Sequence, residues 1–203
     1  MATPTTRHRT QAERSERTRE LLLDATISCL VEQGYARTSV HEICRRAGLS
    51  RGAQQHHFTT KAELMTGALE HLFARLGEEI MAATSDLPPS PERLDEGIDL
   101  LWRAYSGTLS TAAVELWVAA RTDEELRRSL LPVDRELGHQ TLEFYRRIAG
   151  PSVDEARLRT VLLLTVNLVR GLALDAMIGG DPARSTALLA EWKALVLNGG
   201  VGR

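Results

Sequence analysis

Apolar residues recur at helical spacing along most of the chain, and no stretch alternates convincingly with period two. From about Glu13, Leu23, Ile27 and Leu30 share one face, and Gly34 sits where a helix would stop. Ser39 followed by Glu42 is a capping box for a short helix, Val40 to Ala47, with Ile43 and Ala47 inward. Gly48-Leu49 breaks it, and Ser50 caps a third short helix ending near Phe58. Thr60 and Glu63 open a long helix carrying Met65, Leu69, Leu72, Leu76 and Ile80 on one stripe. Three prolines within Pro88-Pro89-Ser90-Pro91 end it.

The pattern then predicts helices over roughly 91–106, 109–121, 123–148, 153–178 and 182–197. Thr122 with Glu125, Ser152 with Glu155, and Asp181-Pro182 mark three of the starts. Pro132 is expected to kink or split the helix that contains it. Residues 1–11 are polar and Thr-rich and read as a flexible arm. The expected fold is all-α, with about nine helices.

Residues 38–58 place two short helices on either side of a Gly-containing break, the spacing of a helix-turn-helix. In that motif the second helix enters the DNA major groove, which is wide enough to admit it. With Phe58 as the inward anchor, Gly52, Ala53 and His56 fall on the outward arc. Gln55 and His57 flank that arc, and Gln54 lies near the buried side. Gly and Ala at the centre of an exposed face suit close approach by a partner surface. A polar surface turn is the plainer reading of Gln54-Gln55-His56-His57. A metal site is not expected, because helical neighbours point ~100° apart and cannot share one ion.

Charge adds to this picture. Residues 1–61 hold ten Lys/Arg against six Asp/Glu, a net +4, and the remainder carries −6. A basic end on an acidic body is the footprint of a nucleic-acid-binding head on a differently employed body.

The segment from Arg17 to about Leu69 resembles the N-terminal DNA-binding domain of the TetR/AcrR family of bacterial transcriptional regulators. The matching residues are Leu22-Leu23-Asp24-Ala25, Glu32-Gln33-Gly34-Tyr35 and Thr38-Ser39-Val40-His41-Glu42-Ile43. They continue through Ala47-Gly48-Leu49-Ser50-Arg51-Gly52-Ala53, His56-His57-Phe58 and Lys61-Ala62-Glu63-Leu64. The resemblance implies phosphate contacts from Ser39, His41, Gln55, His57 and Lys61, and base contacts from Arg51, Gly52, Ala53 and His56. Where the family has an apolar residue and then a backbone-touching Tyr, this chain has Gln54 and Gln55. Cys44 falls where the family packs a small residue, which implies a buried structural thiol.

The stretch Val161-Leu162-Leu163-Leu164-Thr165-Val166-Asn167-Leu168-Val169 has no polar stripe and must bury both faces. A second subunit is the economical second cover. The helix from Pro182, with Ala187, Leu188, Trp192, Leu195 and Val196, can complete an isologous four-helix interface. The resemblance implies the same homodimer. The competing reading is a central core helix of a monomer.

The resemblance further implies an effector cavity in the C-terminal helices. Its candidate lining is Trp102, Tyr105, Trp117 and Phe144, with Arg121, Asn167 and Arg170 as polar groups beside apolar stretches. Ordinary core for the aromatics and a satisfied salt bridge for Arg170 are the competing readings.

Composition and motifs narrow the remaining classes. No uninterrupted apolar run reaches the roughly 18 residues of a bilayer span, and the N-terminus has no secretory apolar region, so a cytoplasmic protein without a membrane role is expected. Cys29 and Cys44 are too few for a disulfide framework or a zinc site. Neither a P-loop nor Gly-x-Ser-x-Gly nor HExxH spacing is present, so no enzyme, cofactor or metal is expected. The reading is a ligand-responsive repressor: residues 12–60 bind an operator, and 61–203 dimerise and sense a small molecule. An all-helical enzyme and a protein-interaction adaptor are the alternatives.

Overall fold

The computed structural model describes residues 10–84, 89–90, 93–151 and 153–198. Among them are nine helices and no strand: α1 (Gln11–Arg37), α2 (Val40–Ala47), α3 (Arg51–His57), α4 (Lys61–Thr84), α5 (Leu94–Tyr105), α6 (Thr108–Ala120), α7 (Glu124–Ala149), α8 (Glu155–Met177) and α9 (Pro182–Asn198). The all-α expectation holds. Most of the expected arm, residues 1–9, lies outside the described residues.

Local chemistry accounts for most boundaries. Helix α1 opens at Gln11, ahead of the expected Glu13, because Thr10 and Glu13 form a reciprocal capping box. Ser39 caps α2, accepting from Glu42 N at 3.2 Å, and Gly48 ends it at φ 68°, a left-handed conformation that glycine adopts without strain. Ser50 caps α3 through Ala53 N at 3.1 Å, and Thr60 caps α4 through Glu63 N at 3.1 Å.

Three expectations change. The N-cap of α7 is Asp123, not Thr122. The Asp123 carboxylate accepts from Leu126 N at 2.9 Å, and its charge also suits the positive end of the helix, while the Thr122 hydroxyl turns back to Ala119 O. Asp154 caps α8 through Arg157 N at 2.7 Å, and Ser152 lies outside the described residues. Pro132 does not split α7, which runs unbroken across it. Pro132 and Arg128 both lie on the exposed side, so the carbonyl deprived of its partner faces solvent.

Packing joins these helices in two apolar clusters. The first runs from Leu22, Leu23 and Leu30 of α1 through Ile43, Leu64, Met65 and Leu69 to Leu116 of α6 and Leu126 and Leu130 of α7. Each fully buried leucine of this kind contributes roughly 1.5–3 kcal/mol. The second cluster gathers α5, α7, α8 and α9 around Ile98, Tyr145, Val169 and Val196. Tyr105 packs against both.

Helix α8 is long and apolar enough to cross a membrane, because scattered polar residues interrupt its apolar run without making it hydrophilic. It packs instead against α5, α6, α7 and α9 of its own chain, with 33% of the apolar stretch buried.

Candidate nucleic-acid interface

Helix α3 is only seven residues long and owes its placement to its two ends. Phe58 is buried at its C-terminus, as the wheel requires, and Arg19 of α1 lies 5.6 Å above the phenyl ring. Gln54, 3% exposed, faces the same way. Its Nε2 donates to Phe58 O at 2.6 Å, and Phe58 N donates to Gln54 O at 2.8 Å. A glutamine can therefore stand where the family has an apolar residue, because its amide closes the helix end.

The opposite face is open. Arg51, Gly52, Gln55 and His56 are exposed, with Ala53 and His57 half-buried at the margins. His56 and His57 meet edge to face at 5.3 Å between centroids. Burial, then the neighbouring His56 and Arg19, pulls the pKa of His57 below its ordinary value. Ser39 and His41, at the start of α2, are also exposed. The structure thus brings Arg51, Gly52, Ala53, Gln55 and His56 onto one face, with Ser39 and His41 beside the motif.

Neighbouring arginines are employed differently. Arg46 forms a bidentate pair with Glu32 of α1 at 2.7 Å for both contacts, tying α2 to α1. Arg45 pairs with Glu42 within α2 at 2.7 and 2.5 Å. Among the described residues Arg51 makes no ion pair, so its charge is available to a partner. Cys29 and Cys44 are buried and free, and burial pushes both thiols up, as suits structural cysteines.

Lys61 is drawn inward. Its ammonium sits 4.0 Å from the Tyr35 ring centroid and 3.4 Å from Tyr35 O, and burial lowers its pKa. Tyr35 in turn donates from N to Glu115 Oε2 at 2.8 Å and from its hydroxyl to Asp123 Oδ2 at 2.6 Å. The link from the head to α6 and the start of α7 was invisible in the sequence, because 80 and 88 positions separate the partners.

A cavity of about 300 Å³ lies between α4, α6, α7 and α8. Of the candidate lining residues, Tyr105, Trp117, Asn167 and Arg170 border it. Phe144 lines an adjoining cavity of about 360 Å³ together with Tyr105. Two residues are corrected. Trp102 packs against the second apolar cluster instead, and Arg121 is the exposed C-cap of α6. The sequence reading missed Asp134 in the wall and His139 and Arg159 at its exposed rim, because charges are spread along α7 and α8 and only packing shows which of them border the cavity. Arg170 does pair with Asp134, at 3.4 Å, and stacks 4.1 Å from the Trp117 ring centroid.

Away from both sites, α8 and α9 expose a run of large apolar side chains. Leu164 is 53% exposed, Leu188 45% and Leu195 57%. Val161, Leu162, Thr165 and Val169 fill the buried side of the same helix. One face of the 161–169 stretch is thus covered by its own chain, and the other is uncovered within it.

Comparison with known proteins agrees with this geometry. Residues 22–68 match the model of the bacterial regulatory proteins of the tetR family. An HTH-type transcriptional regulator of Mycobacterium tuberculosis is 32% identical over 167 residues, 82% of this chain and 86% of its own. The HTH-type transcriptional regulator CymR of Pseudomonas putida is 31% identical over 189 residues, 88% of each chain. A solved transcriptional regulator from Rhodococcus superposes with a TM-score of 0.67 at 27% identity, over 89% of this chain and 96% of that one. A helix-turn-helix with an open second helix, set on a helical body and matched over most of its length by such relatives, places this chain in the TetR family of transcriptional regulators, a DNA-binding family rather than an enzyme family.

Proposed function

We propose that the protein is a cytoplasmic repressor that binds an inverted-repeat operator as a homodimer and is released by a small molecule. Residues 12–60 read DNA, and residues 61–203 dimerise and hold the effector. The observation that carries the reading is the open face of α3, where Gly52 and Ala53 let the backbone approach the groove between Arg51, Gln55 and His56. Arg51, Gly52, Ala53 and His56 reach bases, while Ser39, His41, Gln55 and His57 face phosphates, joined by Lys61 once its ammonium leaves the Tyr35 ring. The uncovered leucines of α8 and α9 support a two-fold dimer, which would set two recognition helices roughly one DNA turn apart. Bound across a promoter, such a dimer excludes polymerase without further contacts.

Selection of bound sequences from random DNA tests this reading. An inverted repeat with half-sites about 10 base pairs apart, or a multiple of that, is the expected product. Recovery of no enriched sequence would reject operator binding, and an isolated half-site would reject the dimer.

A further inference from the structure

Arg170 gives the cavity a definite chemistry. Its guanidinium lies 4.1 Å from the Trp117 ring centroid and 5.8 Å from that of Tyr105. Stacking occupies the flat face of the group and leaves its N–H edge for acceptors in the plane. That edge is poorly served. Nη2 reaches Asp134 Oδ1 at 3.4 Å, long beside the roughly 2.7–2.9 Å of a good charge-assisted pair. Nε is shielded from solvent and has no acceptor, an unfavourable state for a buried charged donor. Arg135 and Arg159 stand exposed at the rim of the same cavity, and among its described lining residues Asp134 is the only carboxylate. The charge balance therefore attracts an anion.

The second cavity adds the other half of the ligand. It shares Phe73, Tyr105, Leu109 and Thr141 with the first, so the two adjoin across these side chains. Beyond that shared wall it is mainly apolar, with Leu76, Leu100, Leu101 and Phe144. A molecule with its head at Arg170 that turns the Tyr105 side chain aside would lay an apolar body between α4, α5 and α7.

We propose that this site takes an amphipathic organic monoanion whose carboxylate accepts from Arg170 and whose apolar body fills the adjoining cavity. The inference rests on the reading of the C-terminal helices as the effector-binding part. A carboxylate matches the planar fork of an arginine better than a bulkier or multiply charged head does, and Asp134 nearby disfavours more than one negative charge.

The test is titration of the full chain with decanoate, decanol and decylamine, three probes of equal chain length and different heads. Binding is read by calorimetry and by tryptophan fluorescence, since Trp117 touches the guanidinium. Decanoate is expected to bind at least roughly tenfold more tightly than decanol, the worth of one charge-assisted pair. Arg170→Met should bring decanoate down to the level of decanol while leaving decanol within about twofold, which also shows that the variant is folded. Arg170→Lys should fall between, because an ammonium keeps the charge without the fork. Equal or tighter binding of decanol or decylamine, an unchanged decanoate affinity in Arg170→Met, or binding of none of the three probes would overturn the proposal. An operator-release assay separates it from the regulatory reading. Release by decanol as readily as by decanoate would sink the anion and keep the effector site. Arg170-dependent binding of decanoate that leaves DNA bound would keep the anion and sink the effector role.

Discussion

The Tyr35 hydroxyl donates to Asp123 Oδ2 at 2.6 Å, joining the end of α1 to the N-cap of α7. The other oxygen of the same carboxylate accepts from Leu126 N at 2.9 Å. One side chain therefore starts a helix of the body and holds the head in place. The Leu126 amide first, and the Tyr35 hydroxyl second, keep the Asp123 carboxyl below its ordinary value. A depressed carboxylate contributes stability above its unfolded pKa, near 4, and loses it as the pH falls through the folded value. Tyr35→Phe should cost about 0.5–1.5 kcal/mol at pH 7 and flatten the decline in stability below pH 4. Urea denaturation at a series of pH values measures both. An unchanged midpoint at pH 7 would show that the contact contributes nothing.

Gly34 makes that corner possible. It sits at φ 74° and ψ 168°, a region almost exclusive to glycine, and a Cβ there would lie 2.8 Å from Glu115 Oε2. Gly34→Ala should destabilise by about 1–3 kcal/mol from backbone strain alone. Glu115→Ala removes the clash together with the contact to Tyr35 N, so the strain is read by comparing the double variant with Glu115→Ala alone, against which most of the loss should remain. Equal stability of the double variant and Glu115→Ala would place the cost in the side-chain clash.

Dimerisation has an equally direct test. Leu164 is already half in solvent, so Leu164→Asp would do little harm to an isolated subunit. Buried between two subunits, an unpaired carboxylate is strongly unfavourable. Sedimentation should show a dimer for the natural chain and a folded monomer for the variant. A natural chain that stays monomeric at micromolar concentration defeats the dimer.

The proposed roles of Gln55 and His56 on α3 can be separated. His56→Ala should relax preference at one position in each half-site, since a good base contact is worth about 1–3 kcal/mol of discrimination. Gln55→Tyr should tighten binding without changing preference, because phosphate contacts carry no sequence information. Base-by-base competition profiles decide. A His56→Ala profile parallel to the natural one, or a new preferred base in Gln55→Tyr, would exchange the two assignments.

Lys61 invites a salt titration. Lys61→Ala should weaken binding to all sequences alike and lower the log–log salt slope by about 1. An unchanged slope would mean that its ammonium, already held over the Tyr35 ring, is spent inside the protein.

What the sequence made legible follows from how local each signal is. Ser39, Gly48, Ser50 and Thr60 act within four residues of themselves, and the helices they bound lie where the pattern put them. Asp123 and Thr122 are adjacent good caps, and only the folded chain chooses between them. The outer face of α3 followed from one anchor, Phe58, because a short helix fixes its own periodicity. The cavity did not. Trp102 and Trp117 are equally aromatic on neighbouring helices, and the packing of α5 and α6 alone decides which meets Arg170. The Tyr35–Asp123 bond had no local trace at all.

The apolar core that begins at Leu22 and continues to Leu130 has a consequence for how such regulators diversify. Residues 12–60 share their interior with Leu116 and Leu126, so they are not a cartridge that can be exchanged. A chimera grafting this head onto the body of a relative would confront foreign side chains across the very surface that holds the head folded, and would have to re-optimise both. On the reading proposed for α3, new binding preferences are reached far more cheaply on its outer side, where Gln55 and His56 are exposed and touch no core. Drift in what the protein reads is therefore decoupled from drift in what keeps it standing.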